Sequence, residues 1–267
     1  MTTRRVNDSD GEITVSHKGP ITLIGINRPA KLNGFSGKMA TELGEAFESF
    51  ENDANARVAV VWAQGKHFTA GVQLDQISQW FAEGKHFAPE GIADPFDLFA
   101  PLRNKPVVAA VQGICFTIGI ELMLAADIVV AADDANFGQI EVSRGIFANH
   151  GGIIRILERA GWGNTMRYLL TGDFFDAAEA FRLGLVQEVV PVGQQLDRAM
   201  ELAEKIAAQA PLAVAETRRI ARKAQRDGWL AAIDDFGPKQ AEIMKTEDAA
   251  EGLKSFAEKR DGVFKGC

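Results

Sequence analysis

Apolar and polar residues along this chain switch repeatedly between the period of a strand and that of a helix. Ile13-Thr14-Val15 and Ile21 to Ile26 predict strands, separated by the Lys18-Gly19-Pro20 turn and closed by Asn27-Arg28-Pro29. Beyond Ser36, an N-cap residue type, Met39, Leu43, Phe47 and Phe50 recur at helical spacing and predict a helix to about Asn52. Val58 to Trp62 is a buried strand ended by Gln64-Gly65-Lys66. The order then repeats, with a loop at Phe68 to Gly71, a mixed helical stretch to about Leu102 and a strand at Val107 to Val111. A turn at Gln112-Gly113 leads to a helix near Gly119 to Ala126 and a strand at Ile128 to Ala131. Strand, loop and helix in this recurrence predict an α/β fold. Asp176 can cap a helix from Ala177 to Leu183, and Leu185 to Val190 reads as one more strand, stopped by Pro191. Beyond it the chain is almost all helix, punctuated by Pro211, Gly228 and Gly237-Pro238. The expected organisation is an α/β core over residues 1–193 and a helical region over 194–267.

Composition narrows the function classes. With 46% hydrophobic and 24% charged residues, a sizeable core is available and wholesale disorder is excluded. A net charge of −7 argues against nucleic-acid binding through general electrostatics. Cys115 and Cys267 alone form neither a disulfide framework nor a CxxC metal site. The polar N-terminal residues 1–12 have no apolar targeting core and no apolar run reaches membrane-span length, so a soluble, cytoplasmic protein is expected. Gly161-Trp162-Gly163 begins like a dinucleotide fingerprint, but Met166 stands where a third glycine belongs and Leu157 to Ala160 does not read as the preceding strand. His17, His67, His86 and His150 are scattered, without metal-ligand spacing. The cluster Arg218-Arg219-Ile220-Ala221-Arg222-Lys223 is most simply the solvated face of a helix; its functional reading is a site for an anion.

Three segments offer chemistry. One is the small-residue loop His67 to Val72 after a buried strand. The second is Lys105 to Gly113 followed by Thr117-Ile118-Gly119-Ile120-Glu121, where a strand runs into a helix start. Unpaired N–H groups at such a start are donors to a developing oxyanion. The third is Asn136 to Glu141, running on to Gly151-Gly152. Two glutamates twenty residues apart mean little among 36 acidic residues. Their neighbourhoods change this: Glu121 lies among Ile118, Ile120, Leu122, Met123 and Leu124, and Glu141 follows Phe137 and Ile140. Partial burial raises a carboxyl pKa and suits it to acid/base work.

These residues resemble the crotonase, or enoyl-CoA hydratase/isomerase, family. Its NRP…LN run is matched by Asn27-Arg28-Pro29 and Leu32-Asn33, its F-[ST]-A-G loop by Phe68 to Gly71, and its KPVIAAVNG strand by Lys105 to Gly113. Its E-L-x-x-A-x-D-I helix is matched by Glu121 to Ile128 and its F-G-x-P-E segment by Phe137 to Glu141, with Ile140 replacing proline. Leu170-Thr171-Gly172 and Ala180 to Pro191 match its later motifs, so the resemblance runs along essentially the whole chain. It implies a crotonase-like spiral of ββα turns with a C-terminal helical trimerisation region. It further implies that the backbone N–H groups of Val72 and Ile118 form an oxyanion hole, that Glu121 helps activate water, and that Glu141 supplies the α-proton of a 2-enoyl-CoA. The stretches around Lys31-Leu32 and Ala70 to Leu74 would hold coenzyme A, which is part of the substrate, while Phe256 and Lys259 would reach a neighbouring subunit's ligand in a homotrimer or dimer of trimers. No metal and no separate cofactor is expected, and no nucleic-acid or membrane partner.

The chain departs from the family pattern twice. Thr117-Ile118-Gly119-Ile120 replaces a run of three glycines before Cys-Glu, which narrows the cleft at the donor position. Phe147-Ala148-Asn149-His150-Gly151-Gly152 replaces I-P-G-A-G-G, making His150 a candidate substrate-pocket residue that would favour an acyl chain with a polar or carbonyl substituent or an aromatic ring. The expected activity is enoyl-CoA hydration. The alternatives are an isomerase, in which Glu141 alone moves the proton, another crotonase-family acyl-CoA reaction, and a non-catalytic acyl-CoA-binding or RNA-associated homologue. Retention of Glu121 favours the hydratase.

Overall fold

Period-two alternation in the central strands sends side chains to two separate cores. The computed structural model describes residues 10–84, 87 and 91–267; His86 and the first nine residues lie outside them. Among the described residues, nine strands form two sheets: β1 (Glu12–Lys18), β2 (Ile21–Asn27), β3 (Val58–Ala63), β4 (Val107–Val111), β5 (Ile114–Phe116), β6 (Ile128–Ala132), β7 (Asn136–Gly138), β8 (Phe174–Asp176) and β9 (Glu188–Val190). The larger sheet has the order β1-β2-β3-β4-β6-β9, parallel throughout except for the β1–β2 hairpin, and the smaller has the order β5-β7-β8.

Val58, Val60, Val108, Ala110 and Val130 face one side of the large sheet, where Ala199, Ala203 and Ala207 of α6 (Gln195–Ala207) cover them. Alanine at every fourth position lets that helix lie close to the strands. Ala59, Val61, Ala109, Val111 and Val129 face the other side. There they join Met39, Leu43, Phe47 and Phe50 of α1 (Gly37–Asn52) in the main core. The Ser36 side chain accepts the Met39 N–H, a cap of about 1 kcal/mol that sets where α1 begins.

The chain between β3 and β4 differs from the mixed helical stretch expected there. Among the described residues there, only α2 (Leu74–Ala82) is helical; residues 91–102 are irregular. The buried Asp94 carboxylate draws the N–H groups of Phe96, Leu98 and Phe99, and Pro95 and Pro101 remove helix donors. The three-residue β5 lies between the expected Gln112-Gly113 turn and the expected helix, where the pattern predicts no element. It is followed by α3 (Ile118–Ala125). The Gly161-Trp162-Gly163 run lies in α4 (Gly152–Thr171), kinked at Gly161, with no strand before it.

Asp176 caps α5 (Ala177–Arg182) through the Glu179 N–H. Four more helices follow α6: α7 (Pro211–Asp227), α8 (Trp229–Ile233), α9 (Phe236–Ile243) and α10 (Glu247–Glu258). Pro211 opens α7, and Gly237-Pro238 sits in the first turn of α9, where a missing N–H costs nothing. No described helix is long and apolar enough to cross a membrane.

The solvated-face reading of the Arg218 to Lys223 cluster fails at two positions. Arg218 is buried and donates to Asp97 at 2.6 Å and to Asp127 at 3.0 Å, and the Arg222 guanidinium lies 3.3 Å from Asp97. Arg103, Arg159 and Arg222 donate to the Leu124 and Ala125 carbonyls at the C-terminus of α3. This is where cations complement a helix dipole. Period-3.6 reading places such residues on one face of α7, but it cannot see the irregular 94–103 loop that comes to meet that face.

Candidate active site

At the carboxyl ends of β3 and β4 the chain leaves the sheet in two segments that run side by side. Phe68 N–H donates to the Gln112 carbonyl, Thr69 N–H to Ile114, and Phe116 N–H back to Thr69. The loop after β3 therefore tracks β5 as a parallel neighbour. Side chains brace it: the Asn33 amide donates to the Gln64 and His67 carbonyls, Gln112 to Ala63 and Gly65, and the Thr69 hydroxyl to Asn33. His67 Nδ1 accepts the Ile114 N–H. Gly119 is required by proximity, since a methyl group there would lie 2.5 Å from Thr69 Cγ2.

This pairing brings Gly71 against Thr117, the residues that precede Val72 and Ile118. Neither the Val72 nor the Ile118 N–H donates to any described residue. The pair provides two free donors, one of them at the positive end of α3. Thr117, which precedes α3, has φ 50° and ψ −116°. For a β-branched residue that conformation costs about 1–3 kcal/mol and persists only where surrounding structure enforces it. Here the Thr117 N–H is tied to the Gly138 carbonyl, and the Thr117 carbonyl accepts from Ile120 and Glu121.

Glu121, one turn into α3, is 2% exposed. Its Oε1 accepts the backbone N–H of His150 at 2.7 Å and of Gly152 at 2.9 Å. Burial pushes its carboxyl up to about 8; the Gly152 N–H opposes this and the Glu141 charge adds to it. Glu141 begins a short 3-10 turn after β7 and is also buried. Burial pushes it up to about 7, with its own backbone N–H and the Gln139 amide pulling the other way. Gln139 donates to Glu141 Oε1 at 2.9 Å, while Glu141 Oε2 and Gln139 Oε1 have no hydrogen-bond partner among the described residues. A methyl group on Gly152 would lie 3.1 Å from both Gln139 Nε2 and Glu121 Cγ. Gly152 thus lets the two carboxyl-bearing segments meet.

His150 is 1% exposed. Its ring stacks edge-on against Phe87 at 5.1 Å and tilted against Phe96 at 4.8 Å, with Nδ1 2.8 Å from the Asn149 side-chain oxygen. The structure thus ties this residue to Glu121 through its backbone and to an aromatic cluster through its ring. Of the residues expected at coenzyme A, Leu32 and Ala70 meet, with the Ala70 N–H donating to the Leu32 carbonyl. Lys31, Leu32 and Leu74 are exposed. Phe256 and Lys259 do not join them within this chain. Phe256 projects from α10 at 86% exposure, and Lys259 is its left-handed C-cap.

Sequence reasoning missed Gln139, although its place two residues before Glu141, just beyond β7, was the available signal. It also missed the amides of His150 and Gly152, because no residue type marks a backbone donor. Chemically, the site combines two donors for a developing negative oxygen with two buried carboxyls that hold protons near neutrality.

A family model described as enoyl-CoA hydratase/isomerase matches residues 16–267. The chain is similar to a carnitinyl-CoA dehydratase of Citrobacter koseri, 38% identical over 253 residues that cover 93% of this chain and 96% of that protein. A carnitinyl-CoA dehydratase of Salmonella agona is 36% identical over 257 residues, 94% and 97% of the two chains. Among solved structures, a probable enoyl-CoA hydratase/isomerase from Mycobacterium abscessus superposes with a TM-score of 0.93 at 43% identity, over 96% of this chain and 98% of that one. An enoyl-CoA hydratase from Mycobacterium tuberculosis H37Rv gives 0.84 at 33% identity, over 96% and 100%.

Proposed function

Because the chain belongs to the enoyl-CoA hydratase/isomerase family and has the crotonase fold, we propose that it is an enoyl-CoA hydratase. In this reading it adds water across the double bond of a 2-enoyl-CoA, with Glu121 and Glu141 as catalytic residues. The observation that carries the reading is the pair of buried carboxyls, raised to about 8 and about 7, one of them on the helix whose first N–H is one of two free donors. Addition to an unsaturated thioester develops enolate charge on the carbonyl oxygen. The Val72 and Ile118 N–H groups receive that oxygen, each worth about 2.7–4 kcal/mol by analogy with other oxyanion holes. From the form of the pair with Glu121 ionised and Glu141 protonated, Glu121 takes a proton from the water whose oxygen bonds to C3 and Glu141 delivers its proton to C2. The proton gained by Glu121 then passes back to Glu141 and restores the pair. The net change is one H and one OH added, with one proton moved across the carboxyl pair, which titrates as a unit. The reverse sequence eliminates water, so the names of the dehydratase relatives describe the same chemistry run backwards.

Lys31, Leu32 and Ala70 to Leu74 hold the coenzyme A portion of the substrate in this reading. Exposed Trp229, Leu230, Phe236, Leu253 and Phe256 on the C-terminal helices form the surface over which residues 194–267 associate into a trimer or a dimer of trimers. Phe256 and Lys259 then approach a neighbour's ligand. A buried Glu121, with two backbone donors holding one oxygen, supports hydration over isomerisation by Glu141 alone.

The test is turnover against short, long, branched and aromatic 2-enoyl-CoAs, followed by loss of the enoyl absorbance, with carnitinyl-CoA assayed for dehydration. Water addition or elimination on any of these supports the reading. Acyl-CoA binding without turnover of any would refute it.

A further inference from the structure

The strained residue at the start of α3 has a free hydroxyl against Gly71, one residue ahead of each of the Val72 and Ile118 N–H donors. A methyl group on Gly71 would lie 2.5 Å from Thr117 Oγ1, so the hydroxyl is wedged against the Gly71 backbone. One peptide further along each segment are the Val72 and Ile118 N–H groups, neither of which donates to a described residue. The Thr117 side chain makes no capping hydrogen bond, and no described residue donates to Oγ1 or accepts from it. The residue is only partly buried. A left-handed φ of 50° at threonine is a standing cost that glycine would avoid.

Resting on the hydratase reading above, we propose that Thr117 is a third substrate-contacting group of the oxyanion site. Its hydroxyl donates a hydrogen bond to the thioester carbonyl oxygen alongside the Val72 and Ile118 N–H groups. The positive φ sets the direction of Cβ and so holds the hydroxyl against Gly71. The ligand class is any coenzyme A thioester, since the contact is to the group they all share. A neutral hydroxyl donor adds to the stabilisation of the enolate more than to that of the ground-state carbonyl, because charge on the oxygen grows along the reaction.

Three substitutions separate the hydroxyl from the backbone. Thr117→Val keeps the β-branch and the strain but removes the hydroxyl, Thr117→Ser keeps the hydroxyl, and Thr117→Gly removes both hydroxyl and strain. The expected results are a kcat lowered by about tenfold or more in Thr117→Val with KM within about twofold, and activity within about threefold of wild type in Thr117→Ser. Thr117→Gly should melt at a higher temperature than wild type yet share the kcat loss, and it decides the question if Thr117→Val does not fold. A second readout needs no turnover: difference infrared spectroscopy of bound butyryl-CoA carrying a 13C thioester carbonyl. The carbonyl stretch should fall in frequency on binding wild type and fall less on Thr117→Val or Thr117→Gly. Wild-type kcat together with a wild-type carbonyl frequency in these two variants would overturn the proposal. If wild type hydrates no enoyl-CoA but its carbonyl shift still depends on the Thr117 hydroxyl, the hydratase reading fails and the contact stands.

Discussion

Replacing Glu121 with glutamine should make the protein more stable at pH 8 while disabling its proposed chemistry. Glutamine has the same shape and keeps an oxygen to accept the His150 and Gly152 N–H groups. What it removes is the ionisation of a carboxyl whose folded pKa stands near 8 against an ordinary 4.5. Between these values the folded chain binds a proton that the unfolded chain releases, so stability falls as pH rises across the window. The fall from pH 5 to pH 8 is roughly 3 kcal/mol for this one group. Glu141, raised to about 7, contributes a similar fall of about 2–3 kcal/mol over the same range. Below about pH 5 both carboxyls are protonated in the folded state and Glu121→Gln should be nearly neutral. The assay is urea unfolding at pH 5, 6, 7 and 8 at one fixed protein concentration, because subunit association would otherwise shift the midpoint. Wild type should lose stability steadily over this series, Glu121→Gln should lose about half as much, and Glu121→Gln with Glu141→Gln should be nearly flat. A Glu121→Gln series parallel to wild type would refute the claim that burial, uncompensated by its two backbone donors, raises this carboxyl.

Asp97→Asn should destabilise the chain by about 3 kcal/mol, read as a lower melting temperature, because it leaves the buried Arg103 without its carboxylate and Arg218 and Arg222 with Asp127 alone. Burial works against ionisation of Asp97, yet those arginines hold it down at about 2. Its contribution is therefore present above about pH 4 and lost as pH falls through 2, and the variant should lack that acid limb. Gly119→Ala drives a methyl group into Thr69 and Cys115 and should cost about 1–3 kcal/mol in stability. It should also lower kcat by shifting the Val72 donor, which paired melting and kinetic measurements would show. His150→Ala opens a hole between Phe87 and Phe96 and should cost about 2 kcal/mol or more in urea unfolding. If the ring also faces substrate, kcat/KM should fall further on a polar-substituted enoyl-CoA than on crotonyl-CoA. Deleting residues 247–267 removes α10 and the tail whose Phe264 carbonyl accepts from Arg57. It should weaken both oligomerisation, read by sedimentation, and butyryl-CoA binding.

Local chemistry made much of this legible in the sequence. Ser36 and Asp176 cap the helices expected of them, and β3 and β4 follow from runs of β-branched and small apolar residues because both of their faces are buried. Glu121 and Glu141 stood out because apolar neighbours surround them, and their burial follows from the same pattern. The less legible features depend on distant partners. Arg218 looks like any exposed helix cation until the Asp97 loop meets it, 121 positions away. The short β5 exists through its pairing with β7 and the loop at Thr69, not through the propensity of three residues. Thr117 was visible as a missing glycine, but only the backbone shows that the left-handed conformation persists without one.

The two carboxyls acting on a bound thioester can be tested directly by one measurement. Hydration of crotonyl-CoA should be followed for wild type, Glu121→Gln and Glu141→Gln, alongside the affinity of each for unreactive butyryl-CoA. The account predicts that each variant loses about a hundredfold or more of the hydration rate while binding butyryl-CoA within about threefold of wild type. Either variant hydrating at the wild-type rate would contradict it.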